Sequence, residues 1–188
     1  MPQRPLYLIG FMASGKTTLG KALCARFPAC RFIDLDQAVE TREGMRVSEI
    51  FDRRGADYFR AAESDVLRSV TSENAIVACG GGTPCHSDNM DYMLAHGTVV
   101  WLQAPTEVTI RRLALAPGQR PLVDALLDNR PALEAYIDRL MSERRPHYSR
   151  AHLIFDSGQL EDEEQIESSC AAFSAMLHQA GLSLPTNE

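Results

Sequence analysis

Residues 10–17 read Gly-Phe-Met-Ala-Ser-Gly-Lys-Thr and fit G-x-x-x-x-G-K-[ST] at every fixed position. That spacing suits phosphate chemistry. Successive backbone N–H groups and the first turn of a following helix present partial positive charge to anionic oxygens. Lys16 adds a point charge on a flexible stem, and the Thr17 hydroxyl can ligate Mg²⁺. Glycines at 10 and 15 let the backbone turn tightly and approach a ligand. The flanks agree: Leu6–Ile9 is a short apolar run, and Leu19, Ala22 and Leu23 recur at helical spacing after the motif. Strand, glycine loop and helix together form a phosphate cradle and imply a nucleotide-binding P-loop protein.

Five further groups need a reading. Asp34 and Asp36 end a second apolar run, where one carboxylate could orient Mg²⁺ and the other could accept a proton or hydrogen bond from a substrate hydroxyl. The alternative is that Asp36 caps a helix over 37–41. Arg60 could clamp a carboxylate with Glu63 behind it, or the two could form a surface i, i+3 pair. Gly80-Gly81-Gly82 follows a third apolar run, so either a ligand lies against that backbone or a tight turn requires it. Arg120 precedes Pro121 in an irregular stretch, where it could neutralise a transferring phosphoryl group. In Arg144-Arg145-Pro146-His147-Tyr148 the cations suit a helix C-terminus, and Pro146 is expected to stop that helix.

Alternating elements must position these groups. Strands are expected at 6–9, 31–34, 75–79, 98–102 and 152–155. Helices are expected at 16–27, 47–54, 57–70, 87–95, 105–113, 129–143 and 161–180. Five short strands with helical crossovers imply an α/β protein, a three-layer α/β/α sandwich around a parallel sheet, with ligands beyond the carboxyl ends of the strands. One domain is expected over residues 1–188. Residues 114–128 should form a mobile lid and 182–188 a frayed tail.

Composition narrows the class. The chain has 188 residues, 45% hydrophobic and 23% charged, enough for one real core. Five cysteines contain no C-x-x-C pair, which favours reduced thiols over disulfides or zinc. No apolar run approaches membrane-span length, and the N-terminus leads straight into the first strand. A cytoplasmic location is expected, with no membrane partner. The net charge of −6 argues against nucleic-acid binding. Positive charge is almost all arginine: the only lysines are Lys16 and Lys21, while eight arginines fall between Arg111 and Arg150.

Taken in order, GFMASGKT, DLD at 34–36, FR at 59–60, GGG at 80–82, RPL at 120–122 and R-x-P-x-Y at 144–148 resemble shikimate kinase, a small P-loop kinase of the nucleoside-monophosphate-kinase type. The resemblance spans Leu6 to about Ala180. It implies the P-loop NTPase fold and γ-phosphoryl transfer from ATP, with Mg²⁺, to the 3-hydroxyl of shikimate. It also implies a nucleotide site at Gly10, Ala13, Ser14, Gly15, Lys16, Thr17, Thr18, Arg112 and Arg120, with Thr17 and Asp34 towards the metal. Asp36, Arg60, Gly80, Gly81, Gly82 and Arg144 would bind shikimate, and Lys16, Asp36 and Arg120 would be catalytic. A monomer is expected. Ala13 stands where the family usually has glycine, Val123 where it has leucine, and His147 replaces an apolar residue. A related gluconate kinase would share the loop without needing paired arginines. A non-catalytic nucleotide switch would need neither Asp36 nor Arg60.

Overall fold

The computed structural model describes residues 4–27, 29–70, 74–116, 121–182 and 184. Its strands are β1 (Leu6–Ile9), β2 (Arg31–Asp34), β3 (Ala75–Ala78), β4 (Thr98–Gln103) and β5 (Leu153–Asp156). The helices are α1 (Lys16–Arg26), α2 (Leu35–Glu43), α3 (Val47–Ser69), α4 (Asn89–His96), α5 (Thr106–Leu115), α6 (Pro121–Asp124), α7 (Arg130–Tyr148) and α8 (Glu163–Gln179), with a 3₁₀ turn at Thr83–Cys85. Among the described residues the strands form one parallel sheet in the order β2-β3-β1-β4-β5. Strands β1 and β3 are buried along their whole length, as their continuous apolar runs require of strands covered on both faces.

Register brings the chemistry to one rim. Ala78 lies beside both Leu8 and Asp34, so the chain leaves β1, β2 and β3 at nearly the same level. Helix α1 packs Leu19 and Leu23 with Cys170 and Phe173 of α8 on one face. Helix α4 packs Met90 and Met93 with Phe59, Val66 and Leu67 of α3 on the other. Neighbouring strands whose connections leave towards opposite faces open a crevice at their carboxyl ends.

Several local expectations are corrected. The helix after β2 starts at Leu35 and its N-cap is Asp34, whose carboxylate accepts from the Gln37 amide; Asp36 lies inside the first turn. Pro146 does not end α7, which runs on to Tyr148. An interior proline costs about 3 kcal/mol, but Tyr148 is fully buried, its ring 5.6 Å from Trp101 and its hydroxyl donating to the Gly81 carbonyl at 2.5 Å. Tertiary anchoring carries the helix past the break. The two helices expected at 47–54 and 57–70 adjoin at Gly55, whose left-handed backbone (φ 84°) kinks α3 there.

The expected lid is only partly irregular. Its described residues include α6, whose Val123 joins Phe11, Leu113, Leu133 and Ile137 in a small apolar cluster above the phosphate loop. Arg120 and the rest of 117–120 lie outside the described residues. So do Ser183 and 185–188 of the expected tail, but Leu184 is buried with the α1–α8 cluster. No helix among the described residues is long and apolar enough to cross a membrane.

Candidate active site

The phosphate loop links the buried end of β1 to α1. Gly10 has φ 145°, and a Cβ there would lie 2.4 Å from the Leu102 carbonyl oxygen, so the position admits only glycine. Gly15 is the left-handed N-cap of α1 (φ 91°), and no side chain caps that end. Its first amides therefore remain for an anion. Ala13 is also left-handed (φ 57°), which explains why a glycine suits this position. The alanine is held there at a cost of about 1 kcal/mol. Lys16 Nζ donates to the carbonyls of Gly10 (2.9 Å) and Phe11 (2.7 Å) and to Ser14 Oγ (3.3 Å), so it sits inside the curl of its own loop.

A cleft of about 560 Å³ opens above the loop. Ala13, Ser14, Gly15, Lys16, Thr17 and Thr18 line one wall. Asp34, Asp36, Gly80, Gly81 and Arg112 line the cleft as well. Gly10 is not among the residues that line the cleft. Thr17 Oγ1 donates to Asp34 Oδ2 at 3.0 Å, which joins the start of α1 to the end of β2. Arg112 reaches the Ala13 carbonyl at 3.3 Å and those of Ser157 and Gly158 at 3.0 and 3.2 Å. That fixes its guanidinium at the cleft mouth.

The three glycines after β3 form the second half of the site. None has a left-handed backbone; each is small because a charged side chain lies against it. A Cβ at Gly80 would sit 2.9 Å from both Asp36 Oδ1 and Glu63 Oε1. One at Gly81 would sit 2.8 Å from Arg144 Nη1, and one at Gly82 2.7 Å from Arg60 Nη2. The turn thus brings two guanidiniums and two carboxylates onto three consecutive residues. Both guanidiniums lie near aromatic rings, Arg60 Cζ 5.0 Å from the Phe59 centroid and Arg144 Cζ 5.5 Å from Phe11.

Arg60 and Glu63 are not a surface pair. Glu63 is wholly buried; it takes Arg60 Nη1 at 2.7 Å on one oxygen and the Thr83 hydroxyl at 2.6 Å on the other. Among the described residues no acid lies within ion-pair distance of Arg144, so its charge faces the rim uncompensated. Asp36 shares this ground. Burial pushes its carboxyl up to about 6, the charges of Glu63 and Asp34 push the same way, and Lys16 and Arg60 oppose them. A carboxylate tuned near neutrality can hold or take a hydroxyl proton.

The structure gathers Asp34, Asp36, Arg60, Gly80, Gly81, Gly82, Arg112 and Arg144 with the loop residues around one crevice. Sequence reasoning missed the weight carried by Glu63, Thr83, Phe11 and Tyr148. Glu63 did leave a signal: an acid among Phe59, Ala62, Val66 and Leu67 occupies a core position of α3, where a charge must be paired.

The family model described as shikimate kinase matches residues 12–174. A curated shikimate kinase of Phocaeicola vulgatus is 43% identical over 165 residues, 87% of this chain and 93% of that protein. The crystal structure of a shikimate kinase from Bacteroides thetaiotaomicron superposes with a TM-score of 0.84 at 38% identity, covering 93% of this chain and 98% of that one. A shikimate kinase from Acinetobacter baumannii, solved in complex with shikimate, gives a TM-score of 0.77 at 26% identity over 94% of both chains. The match over most of the chain, in sequence and in fold, means that the chain belongs to the shikimate kinase family.

Proposed function

We propose that this chain transfers the γ-phosphoryl group of ATP to the 3-hydroxyl of shikimate, giving shikimate 3-phosphate and ADP in aromatic amino-acid biosynthesis. The observation that carries the reading is the glycine turn, which packs Asp36, Arg144 and Arg60 against successive residues opposite the phosphate loop. A planar carboxylate gripped by two arginines fixes the substrate ring, and Asp36 then faces its hydroxyl. A gluconate kinase would have no use for that pair beside a buried Glu63.

Each residue has a part in this scheme. The loop amides, with Ser14, Gly15 and Thr18, cradle the phosphates, while Gly10 and Ala13 shape the loop. Lys16 leaves its loop carbonyls for the phosphate oxygens and spreads the developing charge. Asp36 orients the attacking hydroxyl and takes its proton. Gly80, Gly81 and Gly82 let the arginines close on the substrate, and Arg112 borders the adenine end. Arg120 is assigned to the transferring group by the family resemblance. Thr17 and Asp34 fit Mg²⁺: a hydroxyl and a carboxylate oxygen 3.0 Å apart are hard donors on the phosphate side of the cleft. When bound, the ion neutralises phosphate charge. Residues 114–128 serve as the lid of a single domain, and the chain works as a cytoplasmic monomer.

Coupled ADP release, measured with and without shikimate, tests the reading. Release should rise steeply on adding shikimate and stay at the background rate with gluconate. Equal rates with and without shikimate would defeat it.

A further inference from the structure

Two cysteines that the reaction does not use lie against each other at the opposite end of α1 from the cleft. Cys24 is in the last turn of α1, and Cys30 immediately precedes β2. Their sulfurs are 2.9 Å apart, within 1 Å of the ~2.05 Å of a disulfide bond. The turn that brings them together is itself hydrogen-bonded: Phe27 N donates to the Cys24 carbonyl at 3.3 Å and Cys30 N to the Phe27 carbonyl at 2.7 Å. Both residues are half-buried, at the edge of the α1–α8 cluster. The other three are placed differently. Cys79 and Cys170 are buried, with the Cys79 sulfur against the Val77 carbonyl and Met93, and Cys85 has no cysteine beside it.

We propose that Cys24 and Cys30 are an oxidative modification site, closing to an intramolecular disulfide when the protein meets hydrogen peroxide. The contact between the two sulfurs raises the Cys24 thiol and lowers that of Cys30, so Cys30 is the sulfur that attacks first. Cys30 attacks one peroxide oxygen, the O–O bond breaks and hydroxide leaves, giving a sulfenic acid at Cys30. Cys24 then attacks the Cys30 sulfur, the S–O bond breaks, and the Cys24 proton leaves with hydroxide as water. The two thiols give up two electrons and two protons, and the peroxide is reduced to two waters. Burial holds both thiols above their ordinary range, so closure is slow and selective rather than immediate.

The bond lies where it changes stability and spares chemistry. Helix α1 starts with Lys16 and Thr17, and β2 ends in Asp34. The disulfide would staple the far ends of two elements whose near ends carry the phosphate loop. A closed loop of this kind restricts the unfolded chain and raises the melting temperature.

Incubating the folded full-length protein with hydrogen peroxide, followed by thiol counting and peptide mapping, tests the proposal. The expected result is loss of two of the five thiols, a mass lower by about 2 Da and a linked peptide carrying Cys24 and Cys30. A rise in Tm that dithiothreitol reverses should accompany it. With Cys24→Ser the sulfenic acid at Cys30 should persist and be trapped by dimedone. Retention of all five thiols, oxidation confined to Cys85, or linkage only between chains would overturn the proposal. The peptide map of the unmutated protein decides the matter even if Cys24→Ser folds poorly.

Discussion

The two halves of the cleft, proposed here as the phosphate and shikimate subsites, are built by opposite means. The phosphate half is almost all backbone: an uncapped α1 N-terminus, a loop turned by Gly10 and Gly15, and one lysine held by loop carbonyls. All of it comes from eight consecutive residues. The shikimate half is almost all side chains, taken from α2, α3 and α7 and packed on the glycines after β3. Backbone recognition needs a particular local conformation, which a short motif can specify. Side-chain recognition needs distant segments to converge, so it depends on the whole fold. The halves meet at Phe11, whose carbonyl accepts from Lys16 and whose ring lies beneath Arg144.

Removing Lys16 should do most to break this contrast. Lys16→Ala is expected to lower turnover on the order of 10³-fold by deleting the charge that meets the phosphoryl group, with little loss of shikimate affinity. Turnover near the native rate would remove the role given to this lysine. On the other half, Asp36→Asn should cost on the order of 10² in kcat while making the protein more stable. The sign follows from its carboxyl, held near 6 in the folded protein against 3.8 ordinarily. The folded state binds the proton more tightly, so this group's contribution to stability is fully present below the ordinary value. It is lost as pH rises through 6, a cost of at most about 3 kcal/mol at neutrality. Thermal melts at pH 7 should therefore place Asp36→Asn above the native chain, and a lower Tm would contradict the burial argument. In the native chain kcat should fall as pH drops below 6, where Asp36 becomes protonated.

Gly82→Ala sharpens the comparison further. The added Cβ would press on the Arg60 guanidinium at 2.7 Å and should raise the KM for shikimate about tenfold, the effect of roughly 1.4 kcal/mol, with the KM for ATP unchanged. A rise in both constants would mean that the halves are less separable than their geometry indicates. The smallest expected effect belongs to Ala13→Gly. Relief of the left-handed alanine should outweigh the extra chain entropy by under ~1 kcal/mol, seen as a slightly higher Tm with turnover unchanged.

Legibility in the sequence follows the same division. The strand–loop–helix cradle, five parallel strands and the split of α3 near Gly55 could all be read from local pattern, because apolar runs, glycine and helical periodicity act over a few residues. Arg60 and Glu63 could not be assigned that way, since an i, i+3 pair looks the same on a surface as over a buried turn. Only packing under Gly80 and Thr83 distinguishes the two. The cap of α2 is not legible in the sequence for a related reason: Asp34 and Asp36 are equally good caps by type, and the end of β2 decides between them. Pro146 misled because the burial of Tyr148 exceeds a local penalty that the motif alone makes visible.

The sequence by itself determined a phosphate cradle, an α/β sandwich and the family, because those rest on contiguous residues whose conformational preferences act locally. Tertiary structure alone decided why three glycines stand in a row, which acid is buried, where the carboxyl of Asp36 titrates and which two of five thiols touch. Each of those depends on side chains from separate segments sharing one small volume, and their proximity is fixed only when the sheet and its helices close together.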